Sequence, residues 1–123
     1  MLDLLKQQHL PHNRLTTSMA RTVTEIEEAQ RLRYKVFGEE MGASLASADE
    51  GIDRDIFDSY CEHLLVRDNA NDKVIGTYRI LPPDRARAIG SYYSETEFDL
   101  TRLAHLRESM VEVGRSCVHM NYR

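Results

Sequence analysis

Apolar residues recur with a helical period between residues 26 and 41 and in strand-like runs from about residue 60 onward, and this change organises the chain. Ile26, Ala29, Leu32 or Arg33, Val36, Phe37 and Met41 share one stripe of a helix of about four turns. Thr24-Glu25-Ile26-Glu27 opens that stripe and fits a capping box, a hydroxyl at the cap with a glutamate three residues on. Gly42 supplies a stop. Residues 1–14 hold no sustained period and contain His9, Pro11 and His12, so they read as a lead-in segment. Residues 15–23 fit a first strand, and residues 43–58 an aspartate-rich loop. Residues 60–68 and 73–81, joined by the polar turn 69–72, predict a hairpin. Pro82-Pro83 ends it, because proline cannot donate to a sheet ladder. Residues 91–98 look irregular, 100–109 a short helix, and 110–119 a last strand rich in valine. The predicted order is β-α-β-β-α-β, an α/β fold with helices flanking a sheet.

The last strand is apolar on both faces, as central strands are, yet the sequence stops at Arg123 directly after it. Two expectations follow: another copy completes the sheet by self-association through its unfinished edge, or the chain is part of a larger domain.

Composition narrows the classes of function. The 123 residues fit one domain, with 41% hydrophobic and 29% charged residues, too apolar and varied for disorder. A net charge of −4 argues against nucleic-acid binding, which needs a basic face. The charge is uneven: +2 over residues 1–23, −7 over 24–68 and +1 over 69–123, so a cationic ligand would be drawn to the middle. No uncharged apolar run approaches the roughly 20 residues of a bilayer span, and no signal-peptide core opens the sequence. Two cysteines, Cys61 and Cys117, make no disulfide framework, and a cytoplasmic chain with free thiols is the simpler reading.

Metal readings are weak. His9 and His12 have helical ligand spacing but flank Pro11, while Cys61 with His63 and Cys117 with His119 are single pairs on strands. Asp53, Asp55 and Asp58 lack the glycine and terminal glutamate of a calcium loop. No phosphate-binding glycine loop and no nucleophile elbow occurs. What remains is a set of charges within apolar strands: Arg79, Glu112 and Arg115. Ionised groups there are costly unless they pair or serve a site. Glu112 and Arg115 are three apart, so a regular strand would send them to opposite faces, and a bulge at or beside Gly114 would turn both to one side. A structural ion pair between Arg79 and Glu112 and a functional site both fit this pattern.

These residues carry a resemblance. Arg31-Leu-Arg-Tyr-Lys-Val-Phe37, Glu39-Glu40-Met41-Gly42, Asp55-Ile-Phe-Asp58, His63-Leu-Leu-Val66, Gly76-Thr-Tyr-Arg-Ile-Leu81, Tyr93-Ser-Glu-Thr-Glu-Phe-Asp-Leu100 and Glu112-Val-Gly-Arg-Ser-Cys-Val-His119 occur in order. Together they resemble the hemolysin-like branch of the GNAT acyltransferases, which includes the ornithine N-acyltransferases of bacterial ornithine-lipid synthesis. The skeleton Arg33, Phe37, Asp55, Asp58, Arg79, Phe98, Glu112 and Arg115 is also similar to the acyl-homoserine-lactone synthases. Met41-Gly42, where those synthases carry an aromatic residue, and Gly114 before Arg115, where they read serine, favour the ornithine branch.

The resemblance implies a GNAT-like mixed sheet, of which residues 15–123 would be the N-terminal part. It also implies transfer of an acyl chain, often 3-hydroxylated, to the α-amine of ornithine or a similar amine. No metal or bound cofactor is implied. The co-substrate would be acyl carrier protein, with its phosphopantetheine thioester, or acyl-CoA. In this reading Glu112 is the base; Asp55 and Asp58 meet the ornithine side chain; Arg79 and Arg115 meet the substrate carboxylate or hold Glu112; Arg33 anchors the first helix beside the acidic loop. Peripheral membrane contact would suit a lipid product. The phosphate-binding turn of the fold follows the last strand, so the expectation is that these 123 residues alone are inactive.

Overall fold

The computed structural model describes residues 14–123. Four strands form one sheet in the order β1-β2-β3-β4: Leu15–Met19, Glu62–Asp68, Lys73–Leu81 and Glu112–Val118. The α/β class stands, and every described pairing is antiparallel. The proposed histidine pair at His9 and His12 lies outside the described residues.

Helix α1, Val23–Arg33, continues as a π-helix over Tyr34–Glu40. Its inward stripe is Ala29, Gln30, Leu32, Arg33 and Val36, all buried, so the apolar period extends to a charged residue in its middle. The start corrects the sequence expectation. Thr22, not Thr24, is the cap: its backbone is extended, and its hydroxyl accepts the Glu25 N–H at 3.1 Å. Thr22-Val-Thr-Glu25 repeats the capping pattern two residues earlier, and it is available because β1 already ends at Met19 rather than at residue 23. Gly42, with φ +73°, lies just beyond the helix as expected.

The hairpin is β2 and β3, with Thr77 opposite Leu65 and Arg79 opposite His63. Pro82-Pro83 ends β3 but also begins a helix the sequence reading left out, α2 over Pro83–Ile89. Proline is preorganised for a first helical position, and Gly90, at φ +100°, closes the segment. Residues beyond it run through two 3₁₀ turns, Tyr93–Thr96 and Thr101–Ser109, the second where a short helix was expected. Tyr92 pins this arm: its hydroxyl lies 2.8 and 2.7 Å from the carbonyl oxygens of Arg107 and Met110, which share its single O–H proton.

Two apolar clusters flank the charged residues. Leu32, Val36 and Cys117 pack between α1 and β4, and Phe57, Cys61, Leu81, Ala86 and Tyr92 join the acidic loop to α2. At the end of β2, Asp68 ties Arg14, the 68–72 turn and the Tyr122 hydroxyl together; these hydrogen bonds hold its carboxyl at about 2. Strand β4 lies at the edge of the described sheet, and Val111 and Val113 beside and within it are exposed. No helix among the described residues is long and apolar enough to cross a membrane.

Candidate functional site

A bulge in β4 builds the site. Thr77 pairs with Cys117 and Arg79 pairs with Gly114, so Tyr78 faces two residues, Arg115 and Ser116. Arg115 takes the left-handed conformation, φ +49°, which a non-glycine residue adopts at a cost of about 1–2 kcal/mol. The kink brings Glu112 and Arg115 to one cavity despite their spacing of three. That cavity, about 340 Å³, is also lined by Phe37, Phe57, Arg79 and the Tyr93-Ser94 turn. Its volume is within the range of small-molecule sites.

Beneath the cavity, three arginines and three aspartates close a ring. Arg33 Nε donates to Asp53 at 3.0 Å, and its two terminal nitrogens donate to Asp58 at 2.9 and 3.0 Å. Arg79 donates to Asp58 at 2.8 Å and to both oxygens of Asp55 at 2.7 and 3.0 Å. Arg115 completes the circuit, 3.4 Å from Asp55 and 3.7 Å from Asp53. Charges in the ring cancel, which is how an acidic loop and three strand or helix arginines tolerate burial. Burial alone would raise the Asp58 carboxyl, but Arg33 and Arg79 outweigh it and hold it below the usual carboxylate range. Asp55 is lowered in the same way, against burial, chiefly by Arg79.

Arg115 is the loosest member. Its ring contacts are the longest, its side chain is 23% exposed, and its buried Nε–H meets no acceptor. Its guanidinium lies 5.2 Å from the Tyr93 ring centroid, and that of Arg79 lies 5.3 Å from the same ring.

Glu112 does not pair with Arg79, so the ion pair considered from sequence is replaced by another arrangement. Tyr93 N–H donates to Glu112 Oε1 at 2.7 Å and Ser94 N–H to Oε2 at 2.9 Å. The Ser94 hydroxyl also bonds Oε2. These bonds fix the plane of the carboxylate at the cavity wall.

The sequence-derived residues thus divide. Arg79, Glu112 and Arg115 line the cavity. Arg33, Asp55 and Asp58 do not; they hold the arginines from below. Asp58 oxygens accept from Arg33, Arg79, Gln30 and the Asp55 N–H, so no lone pair points to a substrate cation. Sequence reasoning missed Gln30, Asp53 as a ring member, and Tyr93 and Ser94 as cavity wall. Gln30 and Arg33 on the apolar stripe were the available signal. Cys61 and Cys117 are buried, and burial pushes both thiols up to about 11. His63, also buried, donates from Nε2 to the Asp58 carbonyl at 2.9 Å, and burial lowers it from its ordinary value.

The four-stranded sheet with its flanking helices is the fold of an acyltransferase family. The acetyltransferase (GNAT) domain family matches residues 32–123, and the chain belongs to it. The L-ornithine N(alpha)-acyltransferase of Rhizobium meliloti (strain 1021) is 42% identical over 118 residues, covering 89% of this chain and 40% of that protein. The protein of the same name from Rhodobacter capsulatus is 40% identical over 112 residues, covering 85% and 43%. The chain therefore spans about two fifths of the length of these relatives. Among solved structures, TofI in a ternary complex with an inhibitor and MTA superposes with a TM-score of 0.60 at 28% identity, covering 84% of this chain and 56% of TofI. The AHL synthase LasI shares the fold, with a TM-score of 0.57 at 19% identity over 85% of this chain and 53% of LasI.

Proposed function

We propose that the protein carrying this chain moves a (3-hydroxy)fatty acyl group from acyl carrier protein, or from acyl-CoA, to the α-amine of ornithine. The identity of 40–42% to proteins named for that acceptor, spread over most of this chain, is the observation that carries the reading. The cavity supports it chemically. An α-ammonium must lose a proton before it can attack a thioester, and Glu112 is the carboxylate at the cavity wall suited to accept it. Arg115, with an unsatisfied Nε–H beside the cavity, suits the carboxylate of the amino acid, and Arg79 supports it. Asp55, whose two oxygens accept from Arg79, Arg115 and the Phe57 N–H, acts by holding those arginines at the cavity. Asp58 and Arg33 act by holding Arg79 in place. In this reading the reaction is cytoplasmic and acyl carrier protein is the macromolecular partner.

A second reading, an acyl-homoserine-lactone-type synthase acting on S-adenosylmethionine, draws on the likeness to TofI. Product analysis separates the two. Purified protein is offered L-ornithine and S-adenosylmethionine together, with a long-chain 3-hydroxyacyl thioester on acyl carrier protein. Mass spectrometry should find N-acylornithine acylated at the α-nitrogen. An acylhomoserine lactone, or ornithine acylated only on its side chain, would overturn the proposal.

A further inference from the structure

Glu112 presents itself to the cavity through a neighbour. Both carboxylate oxygens accept main-chain N–H groups of the Tyr93-Ser94 turn, which are fixed donors with no proton to exchange in the reaction. The one hydroxyl bonded to either oxygen among the described residues is that of Ser94. Ser94 and Glu112 both line the cavity, and the Ser94 hydroxyl bonds Glu112 Oε2. The turn cannot readily drift from this position. The Tyr93 ring makes an edge contact with Phe57 at 5.5 Å and lies under two guanidiniums, while Tyr92 N–H is held by Glu95 at 2.8 Å.

We infer that Ser94 is a catalytic proton carrier between the acceptor amine and Glu112, an inference that rests on the acylation of an amine proposed above. As the ammonium N–H bond breaks, its proton passes to Ser94 Oγ, and the original Ser94 proton moves to Glu112 Oε2. Serine ends as a neutral hydroxyl and Glu112 as a carboxylic acid, and the nitrogen keeps the electron pair that forms the N–C bond at the thioester carbon. The C–S bond then breaks, and the departing thiolate is protonated by the Glu112 acid through Ser94. The second nitrogen proton returns to Glu112 by the same route and is released to water. No further reactant is needed. Hydroxyls relay protons in this way when one lone pair faces the donor and the O–H faces the base.

The test compares S94A, S94T and S94C in the full protein with L-ornithine and a long-chain 3-hydroxyacyl thioester on acyl carrier protein. S94A should lose about 10²-fold in kcat, at the lower end of proton-transfer contributions, with KM for ornithine within a factor of about two. S94T retains the hydroxyl and should recover most of the rate, while S94C keeps the volume, weakens the donor and should fall with S94A. Thermal melts check folding, and S94C carries the test if the alanine variant is unstable. Parent-like kcat in S94A or S94C overturns the relay, as does equal damage in S94T and S94A. E112Q separates this from the wider reading: if E112Q is inactive while S94A turns over normally, Glu112 acts without Ser94. If E112Q itself turns over normally, the base assignment fails.

Discussion

Replacing Asp58 by Asn should unfold this chain far more easily, although it changes no shape. Asp58 is 3% exposed and is the shared counterion of Arg33, which is 1% exposed, and Arg79, which is 4% exposed. Removing one partner of a buried ion pair costs about 3–5 kcal/mol, because the remaining charge stays desolvated. Here each arginine keeps another aspartate, Asp53 for Arg33 and Asp55 for Arg79, so the lower end, about 3 kcal/mol, applies. Against a domain stability of about 5–15 kcal/mol, that is a large share. With a urea slope of about 1–3 kcal/mol/M the midpoint falls by about 1–3 M. Urea titrations followed by far-ultraviolet circular dichroism read this directly, and E50Q is the control. Glu50 and Arg54 form an exposed pair, whose loss should change stability by about 0.5 kcal/mol at most. The pH dependence has a defined sign. Asp58 is lowered in the fold, so its contribution is complete above the ordinary carboxylate pKa of about 4 and is lost as pH falls through its lower native value. D58N should lack that part of the acid-side decline. A midpoint equal to the parent's would show that the ring is ornamental to stability.

Two smaller perturbations follow from the same structure. T22A should cost about 1 kcal/mol in urea unfolding and T24A about half that or less, since only Thr22 caps α1. His63 is lowered by burial, so the unfolded chain takes up its proton first: stability should be complete above about pH 6.5 and decline as pH falls toward the lower native value. Midpoints compared between pH 7.5 and 5.5 should drop for the parent and drop less for H63Q.

The strands were legible because their apolar runs are long and bounded by turn residues; β3 begins and ends where the pattern says. Helix α2 was not, because Pro82-Pro83 stops a strand and starts a helix with the same residues. Arg33 was legible as a resemblance but not as a core residue, since its burial depends on Asp53 and Asp58, which arrive from a loop without period. The bulge was foreseen near Gly114, yet the strained residue is Arg115, whose conformation depends on its stacking with Tyr93 and its two aspartates. Ser94 lay within a motif of the resemblance but carried no chemical signal of its own: a serine in an irregular stretch gains meaning only when Glu112 is placed beside it.

Turnover of E112Q is the most direct measurement of the central claim that this cavity deprotonates and acylates an amine. Gln preserves the side chain's shape while removing the proton acceptor. With L-ornithine and the acyl carrier thioester, kcat should fall by about 10²- to 10⁴-fold, while the one N–H of the Tyr93-Ser94 turn that loses its acceptor costs only about 1–3 kcal/mol of stability and leaves the protein folded. Near-parental turnover in a folded E112Q protein would contradict the account, and would leave Glu112 as the clasp of the Tyr93-Ser94 turn and nothing more.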